Sequence, residues 1–253
     1  MPELKNPGLS SYADRLATHI DRYIETVIAA PRVRLNEFAV LSEYASLHQP
    51  VDLLEVPAEG RMLDALYPNA TICRADFLRL QVDGYADEVS VTDWTLKDLP
   101  DSTFDAVLSV VPMHHANDLQ KQLYLAGAFR VLKPGGMLAF GEVEDGSPEH
   151  AFLDGFIDRH TTTGHRGMYP DAGFTRALEL QGFAAVRTAL RPCPWVFESQ
   201  QALYDYLTRL FALRGVSMDD LLNVLQRQLG LEPQGCQIAM RWNLRYFRGV
   251  KPP

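Results

Sequence analysis

The sequence predicts an α/β fold: a doubly wound, mostly parallel sheet with helices on both faces. Three observations lead there. From residue 51 to about residue 190, short apolar runs of strand length alternate with amphipathic runs of helix length. The junctions between them carry Pro, Gly and Asp, the residues that turn a chain. The chain of 253 residues is 47% apolar and 22% charged, enough to cover both faces of such a sheet as one large domain with a cap. Right-handed crossovers then fix the winding.

Two helices precede the first strand. Tyr12, Leu16, Ile20, Tyr23 and Val27 recur at three- and four-residue steps and predict a helix over 11–29, capped by Ser10 or Ser11 and followed by Pro31. Leu35, Phe38, Leu41 and Ala45 predict a second over 35–48, ending before Pro50. Residues 1–49 thus read as an N-terminal helical cap, either covering a sheet edge or serving as a substrate lid.

The domain proper is expected over 50–253. Its first strand, 51–56, stops at a tight turn and opens into a helix at 60–67. A strand at 71–75, an irregular piece at 77–85 and strands at 88–92 and 104–110 follow. A helix at 119–131 leads to the Lys133-Pro-Gly-Gly136 turn and a strand at 137–143. Helical segments at 148–159 and 171–181 and a strand at 184–190 come next. Leucine and aromatic stripes predict helices at 199–213 and 218–229, within a helical insertion at 198–232. The run 237–247 is long enough to return to the sheet as its last strand.

Charge and composition exclude several functions. The formal charge is −8, and Lys and Arg are scattered rather than gathered in a stripe, so no nucleic-acid partner is expected. No apolar run approaches the ~18 residues of a membrane span, and the first residues lack the apolar core of a signal peptide. Cys73, Cys193 and Cys236 stand far apart without metal-ligand spacing; a reducing, cytoplasmic setting is expected and no metal site.

Chemistry-bearing residues gather where strands end, the ligand edge of such sheets. Glu55-Val-Pro-Ala-Glu-Gly60 follows the first strand, and Asp76-Phe77 the second. Asp93-Trp94, with Leu99-Pro100 and Phe104-Asp105 behind it, follows the third. His114-His115 follows the fourth, and Arg130 to Leu138 holds the Pro-Gly-Gly turn before the fifth. In this order and spacing the chain resembles the class I S-adenosylmethionine-dependent methyltransferases. The nearest branch is the small-molecule one, which includes the ubiquinone and biotin-pathway enzymes. The resemblance covers about residues 50–190, with a weaker fit of 237–247 to the family's last strand.

The resemblance implies a seven-stranded, Rossmann-like sheet and S-adenosylmethionine as cofactor. It puts Glu55, Pro57 and Gly60 at the methionine end. The glycine motif is degenerate: Pro57 stands where the family has its first glycine, the middle glycine is missing, and Glu59 sits in the loop. Proline offers no N–H and cannot take positive φ. Asp76, with Phe77 beside it, would accept both ribose hydroxyls through its paired oxygens, or else cap a helix. Asp93 would accept from the adenine amino group and Trp94 would flank the ring; alternatively Asp93 is a loop residue and Trp94 core.

His114, His115 and His165 are the candidate catalytic bases, with His160 behind them, needed only if the acceptor must lose a proton. If the fourth strand persists, at most one of His114 and His115 can face the pocket. The i,i+5 spacing of His160 and His165 does not place them together on a helix face. The expected reaction is methyl transfer to a small-molecule acceptor. The alternative is a fold that has lost the cofactor and serves as a partner subunit or scaffold, or runs a different reaction. A protein partner or a homodimer is left open.

Overall fold

The computed structural model describes residues 19–47, 52–111 and 113–253. The first half of the predicted 11–29 helix, Pro50 and Val51 lie outside them. Helix α1 is Ile20–Ala29 and α2 is Leu35–Ala45, joined by a 3-10 turn at Pro31–Val33. Then come β1 (Asp52–Glu55), α3 (Met62–Leu66), β2 (Thr71–Asp76), β3 (Val89–Val91), β4 (Phe104–Val110), α4 (Asp118–Val131) and β5 (Leu132–Glu142). After a helical run at 148–160 come α5 (Thr175–Gln181), β6 (Ala184–Pro192), β7 (Trp195–Phe197), α6 (Gln200–Leu210) and α7 (Met218–Gln228). The chain closes with β8 (Leu231–Gln234), β9 (Gln237–Met240) and β10 (Asn243–Val250).

The main sheet has seven strands in the order β3-β2-β1-β4-β5-β10-β6. The first five are parallel, and β10 runs antiparallel between β5 and β6. The order reverses at β1, where β2 lies on one side and β4 on the other, so a crevice opens beyond their carboxyl ends. Strand alternation splits the core in two. Leu53, Leu108, Ala139 and Tyr246 pack on the face covered by α2 and the insertion. Leu54, Val107, Phe140 and Phe247 pack on the face covered by α4 and α5.

Three expectations change. The run 237–247 is two strands: β9 joins β7 and β8 in a separate three-stranded antiparallel sheet, and only β10 enters the main one. Trp195 and Trp242 meet at 5.0 Å where the chain passes between the sheets. The residues after α7 therefore end in strand β8, which pairs with β9 across a turn at Gly235 (φ +63°), rather than in helix. The Lys133-Pro-Gly-Gly136 turn does not precede β5 but loops out within it: Phe104 pairs with Leu132, and Ala106 already pairs with Met137.

Candidate functional site

The loop after β1 closes on itself. Glu55 is fully buried; its carboxylate accepts the Glu59 N–H at 3.1 Å and pairs with Arg74 at 3.2 Å. Burial, only partly offset by Arg74, pushes Glu55 up to about 8. The Gly60 N–H donates to the Tyr85 hydroxyl at 2.9 Å, and the Gly60 carbonyl accepts from Arg74 Nε at 3.1 Å. Ser109 donates to the Val56 carbonyl at 2.5 Å and meets Tyr124 on its other side. Gly60 takes φ +96°, and a Cβ there would meet Val27 of α1 at 3.4 Å, so its free side faces a helix.

A cavity opens at the carboxyl edge of the sheet. Glu59, Asp76 and His114 line it from the strand ends; Tyr23, Arg34 and Glu37 line it from the cap, and Trp195, Phe211 and Trp242 from the later segments. Of the residues the sequence offered for the cofactor, Asp76 alone among the described residues lines it; Glu55, Pro57, Gly60, Phe77, Asp93 and Trp94 do not. Asp76 is 1% exposed. Its Oδ1 accepts the Leu78 N–H at 2.9 Å, while its Oδ2 is buried without a hydrogen-bond partner. Burial is the main cause that pushes it up to about 7; the Leu78, Ala58 and Phe77 N–H groups pull the other way, and the Glu59 charge reinforces the rise. A buried acceptor left unpaired at a cavity wall is costly without a ligand to fill it.

The residues offered for the adenine pack locally. Phe77 and Trp94 stack on each other at 3.9 Å, 20° from parallel, so no ring lies between them. Asp93 closes a local turn: Oδ1 accepts from the Thr95 N–H at 2.9 Å and from its hydroxyl, and Lys97 sits 3.0 Å from Oδ2. The Thr95 hydroxyl is the main cause that holds Asp93 down at about 2.

Arg34 was not singled out by the sequence. It lies 2% exposed between two carboxylates, Glu37 at 2.7 Å and Glu59 at 2.6 Å, and donates also to the Tyr23 hydroxyl. Tyr23 donates to Glu59 at 2.7 Å, and Trp195 Nε1 donates to Glu37 at 3.0 Å. An i,i+3 ion pair such as Arg34–Glu37 usually marks an exposed helix face, so only the fold reveals that this one is buried.

The histidines are closer than their spacing suggests. Strand β4 ends at Val110, and Val111, at φ +47°, turns the chain, an uncommon conformation for a β-branched residue. His114 and His115 therefore sit in a turn, and both line the cavity; the expectation that only one could do so assumed a strand that does not persist. His165 reaches them from the loop after the 148–160 run. Ring centroids are 4.1 Å apart for His114–His115, 4.9 Å for His115–His165 and 5.4 Å for His114–His165. His160 instead packs on Phe156 at 4.6 Å and stays outside the cavity.

Carboxylates stand behind two of the rings. His114 Nδ1 lies 2.9 Å from Glu142, which also accepts the Met113 and Val143 N–H groups. Burial pushes Glu142 up, but the His114 ring and these donors outweigh it and hold the carboxyl below its usual range. Asp154 accepts from the Tyr169 hydroxyl at 2.7 Å and lies 3.8 Å from His165 Nδ1. It comes from the π-helical stretch Phe152–Ile157 of the 148–160 run, a distortion that recurs at functional sites. The Met168 N–H donates to the His114 carbonyl at 2.6 Å, and a Cβ on Gly167 would strike that carbonyl at 2.9 Å, so the loop carrying His165 is fitted closely to the β4 turn.

A family model described as a methyltransferase domain matches residues 61–140. No curated protein matches the chain in sequence. Solved structures share its fold. BH2331 of Bacillus halodurans C-125, described as a methyltransferase, matches at 17% identity with a TM-score of 0.53, over 86% of this chain and 99% of that one. Phosphoethanolamine N-methyltransferase 2 of Haemonchus contortus, solved with phosphomonomethylethanolamine and S-adenosylhomocysteine, matches at 13% identity and TM-score 0.60; the match covers 97% of this chain but only 61% of that one. The 4+2 cyclase SpnF matches at 14% identity and TM-score 0.56, over 96% and 97%. Residues 61–140 thus match a methyltransferase-domain model, and the chain has the seven-stranded, Rossmann-like fold of these solved structures.

Proposed function

We propose that the protein transfers a methyl group from S-adenosylmethionine to a small-molecule acceptor bound in the cavity. The observation that carries this reading is Asp76: a buried carboxylate oxygen without a partner, at the end of β2, sharing one cavity with the three histidines. In that position it would take the ribose hydroxyls. The cofactor brings the activated sulfonium methyl. The chain's own task is to align an acceptor atom with it and keep water out.

The methionine end would rest on side chains rather than on the β1 loop. Glu59, Arg34 and Glu37 together carry one net negative charge against the cavity, which suits the cofactor's ammonium group. His115 and His165 line the same cavity and would face the acceptor, with His114 held by Glu142. Leu153, Ile157 and Phe211 add an apolar lining to the cavity, which suits an acceptor of mixed character.

Calorimetric titration with S-adenosylhomocysteine tests the reading. Binding in the micromolar range, lost by about 100-fold in Asp76→Asn, is expected, since a buried donor–acceptor pair with a charged partner is worth about 1.5–3 kcal/mol. No heat and no thermal shift at millimolar ligand overturns methyl transfer and leaves a reaction of the non-methylating kind that the same fold supports in the cyclase.

A further inference from the structure

We propose that His114, His115 and His165 form a binding site for a divalent first-row transition-metal ion, with its open position facing the acceptor. This rests on the reading that the cavity's histidine wall is the acceptor side. One ring nitrogen of each residue can be chosen so that all three lie within 4.8 Å of one another. A tetrahedral ion at about 2.1 Å from each would hold them about 3.4 Å apart, so a small side-chain contraction closes the site.

Three features favour an ion over simple ring packing. The first is orientation. With Nδ1 of His114 engaged by Glu142, its Nε2 is the nitrogen left to ligate, and Asp154 stands at Nδ1 of His165 in the same sense. Carboxylate behind imidazole is the arrangement that fixes ligand direction in metal sites. The second is charge. Two buried or half-buried carboxylates back a group of three imidazoles, and a dication between the rings balances them, whereas protonating adjacent rings would set like charges 4.1–5.4 Å apart.

The third is ligand count. Three protein nitrogens and one side open to a cavity is the pattern of sites that hold a reactant, not of closed structural sites. With no thiolate or oxygen among the ligands, imidazole selects zinc, iron, nickel or copper over magnesium and calcium. The acceptor would then be a molecule whose hydroxyl oxygen enters the fourth position; there it would lose its proton to solvent more readily and keep a lone pair to attack the methyl carbon as the methyl–sulfur bond breaks.

Zinc titration of the chelator-treated protein, with cobalt substitution as the spectroscopic readout, tests the site. One Zn²⁺ per chain is expected, and Co²⁺ should give intense visible bands of a four-coordinate nitrogen site, bleached by added Zn²⁺. His115→Ala and His165→Ala should each weaken Zn²⁺ binding by at least about 100-fold, and Asp154→Asn by about 10-fold. His160→Ala should leave it unchanged, and Mg²⁺ should not compete. A wild-type protein that takes up no Zn²⁺ overturns the proposal, as does retained affinity in both His115→Ala and His165→Ala; the wild-type measurement decides even if a variant misfolds. Titrating S-adenosylhomocysteine with and without Zn²⁺ separates the two readings. Nucleoside binding without metal uptake removes the ion alone; metal uptake without nucleoside binding removes methyl transfer alone.

Discussion

Replacing Arg34 by methionine probes the charged wall of the cavity. Arg34 is 2% exposed and serves two anions at once, Glu37 at 2.7 Å and Glu59 at 2.6 Å. Methionine keeps much of the volume against Tyr23 and Trp195, whose rings flank the guanidinium at 5.7 and 5.5 Å, but removes the cation. Removing one partner of a buried ion pair costs about 3–5 kcal/mol, because the other charge stays buried. Here one deletion strands two carboxylates, so the upper end applies, about 5 kcal/mol. For a chain of this size that lowers Tm by about 10–20 °C.

The cost must depend on pH, and its sign follows from Glu37. Burial already holds Glu37 above the usual carboxylate range, with Arg34 the main influence pulling it down. Without Arg34 it rises further. A carboxyl whose folded pKa lies above its unfolded one binds more protons folded than unfolded, so its contribution is intact at low pH and stability falls as pH rises through the folded pKa. Arg34→Met should therefore lose least near about pH 5 and most near about pH 8. Urea unfolding followed by tryptophan fluorescence at both pH values measures this. The combination with Glu37→Gln and Glu59→Gln should recover most of the loss. A cost under about 1 kcal/mol at the higher pH, or one indifferent to pH, would show the pairs to be as solvated as surface ones and refute the reasoning.

Three further outcomes follow from the same geometry. Asp76 is held up at about 7 from the ordinary aspartate value of 3.8, so ionising it costs the folded state between roughly pH 4 and pH 7; Asp76→Asn should raise Tm at pH 8 even as it removes nucleoside affinity, and a lower Tm would contradict this. Tyr85→Phe leaves the buried Gly60 N–H without its acceptor at 2.9 Å and should cost about 1–3 kcal/mol in urea unfolding; no loss would show the loop able to re-pair. Gly127→Ala, in α4, drives a Cβ to 2.5 Å from the Thr95 carbonyl and should cost about 1–3 kcal/mol despite alanine's better helix propensity, whereas a gain in Tm would show that the 93–96 turn moves aside.

What the sequence disclosed was whatever depends on near neighbours. Strand-to-turn punctuation placed Glu55, Asp76 and the His114-His115 pair at strand ends, and parallel winding brings strand ends together. The Asp93 turn was also written locally: a hydroxyl two residues on and a lysine four on are the partners it uses, and they are a reason to read it as turn-forming. What depends on distant packing was hidden. Nothing near His165 reveals that its loop seats on the His114 carbonyl, and nothing around Arg34 and Glu37 separates a buried pair from a solvated one. The strand run after Gly235 breaks at Arg241–Trp242, where the chain makes contacts with distant Gly230, Cys193 and Trp195.

The short β1 loop gains its meaning from a count of its own polar groups. Pro57 has no N–H. The Glu59 N–H is spent on Glu55, the Gly60 N–H on Tyr85, and the Val56 and Gly60 carbonyls on Ser109 and Arg74. A buried backbone group makes its bonds once, so these cannot also hold a ligand unless the loop opens. On the proposed reading, binding moves from backbone to side chains, and the cavity offers them: Asp76, Glu59 and Arg34 line it together with three imidazoles. Backbone donors keep their strength at any pH, whereas carboxylates and imidazoles titrate. A relative of this fold that grips with a glycine loop should bind its cofactor almost independently of pH near neutrality. This chain, with Asp76 pushed up to about 7, should bind more tightly as pH rises through that value, because only the ionised carboxylate accepts from both ribose hydroxyls.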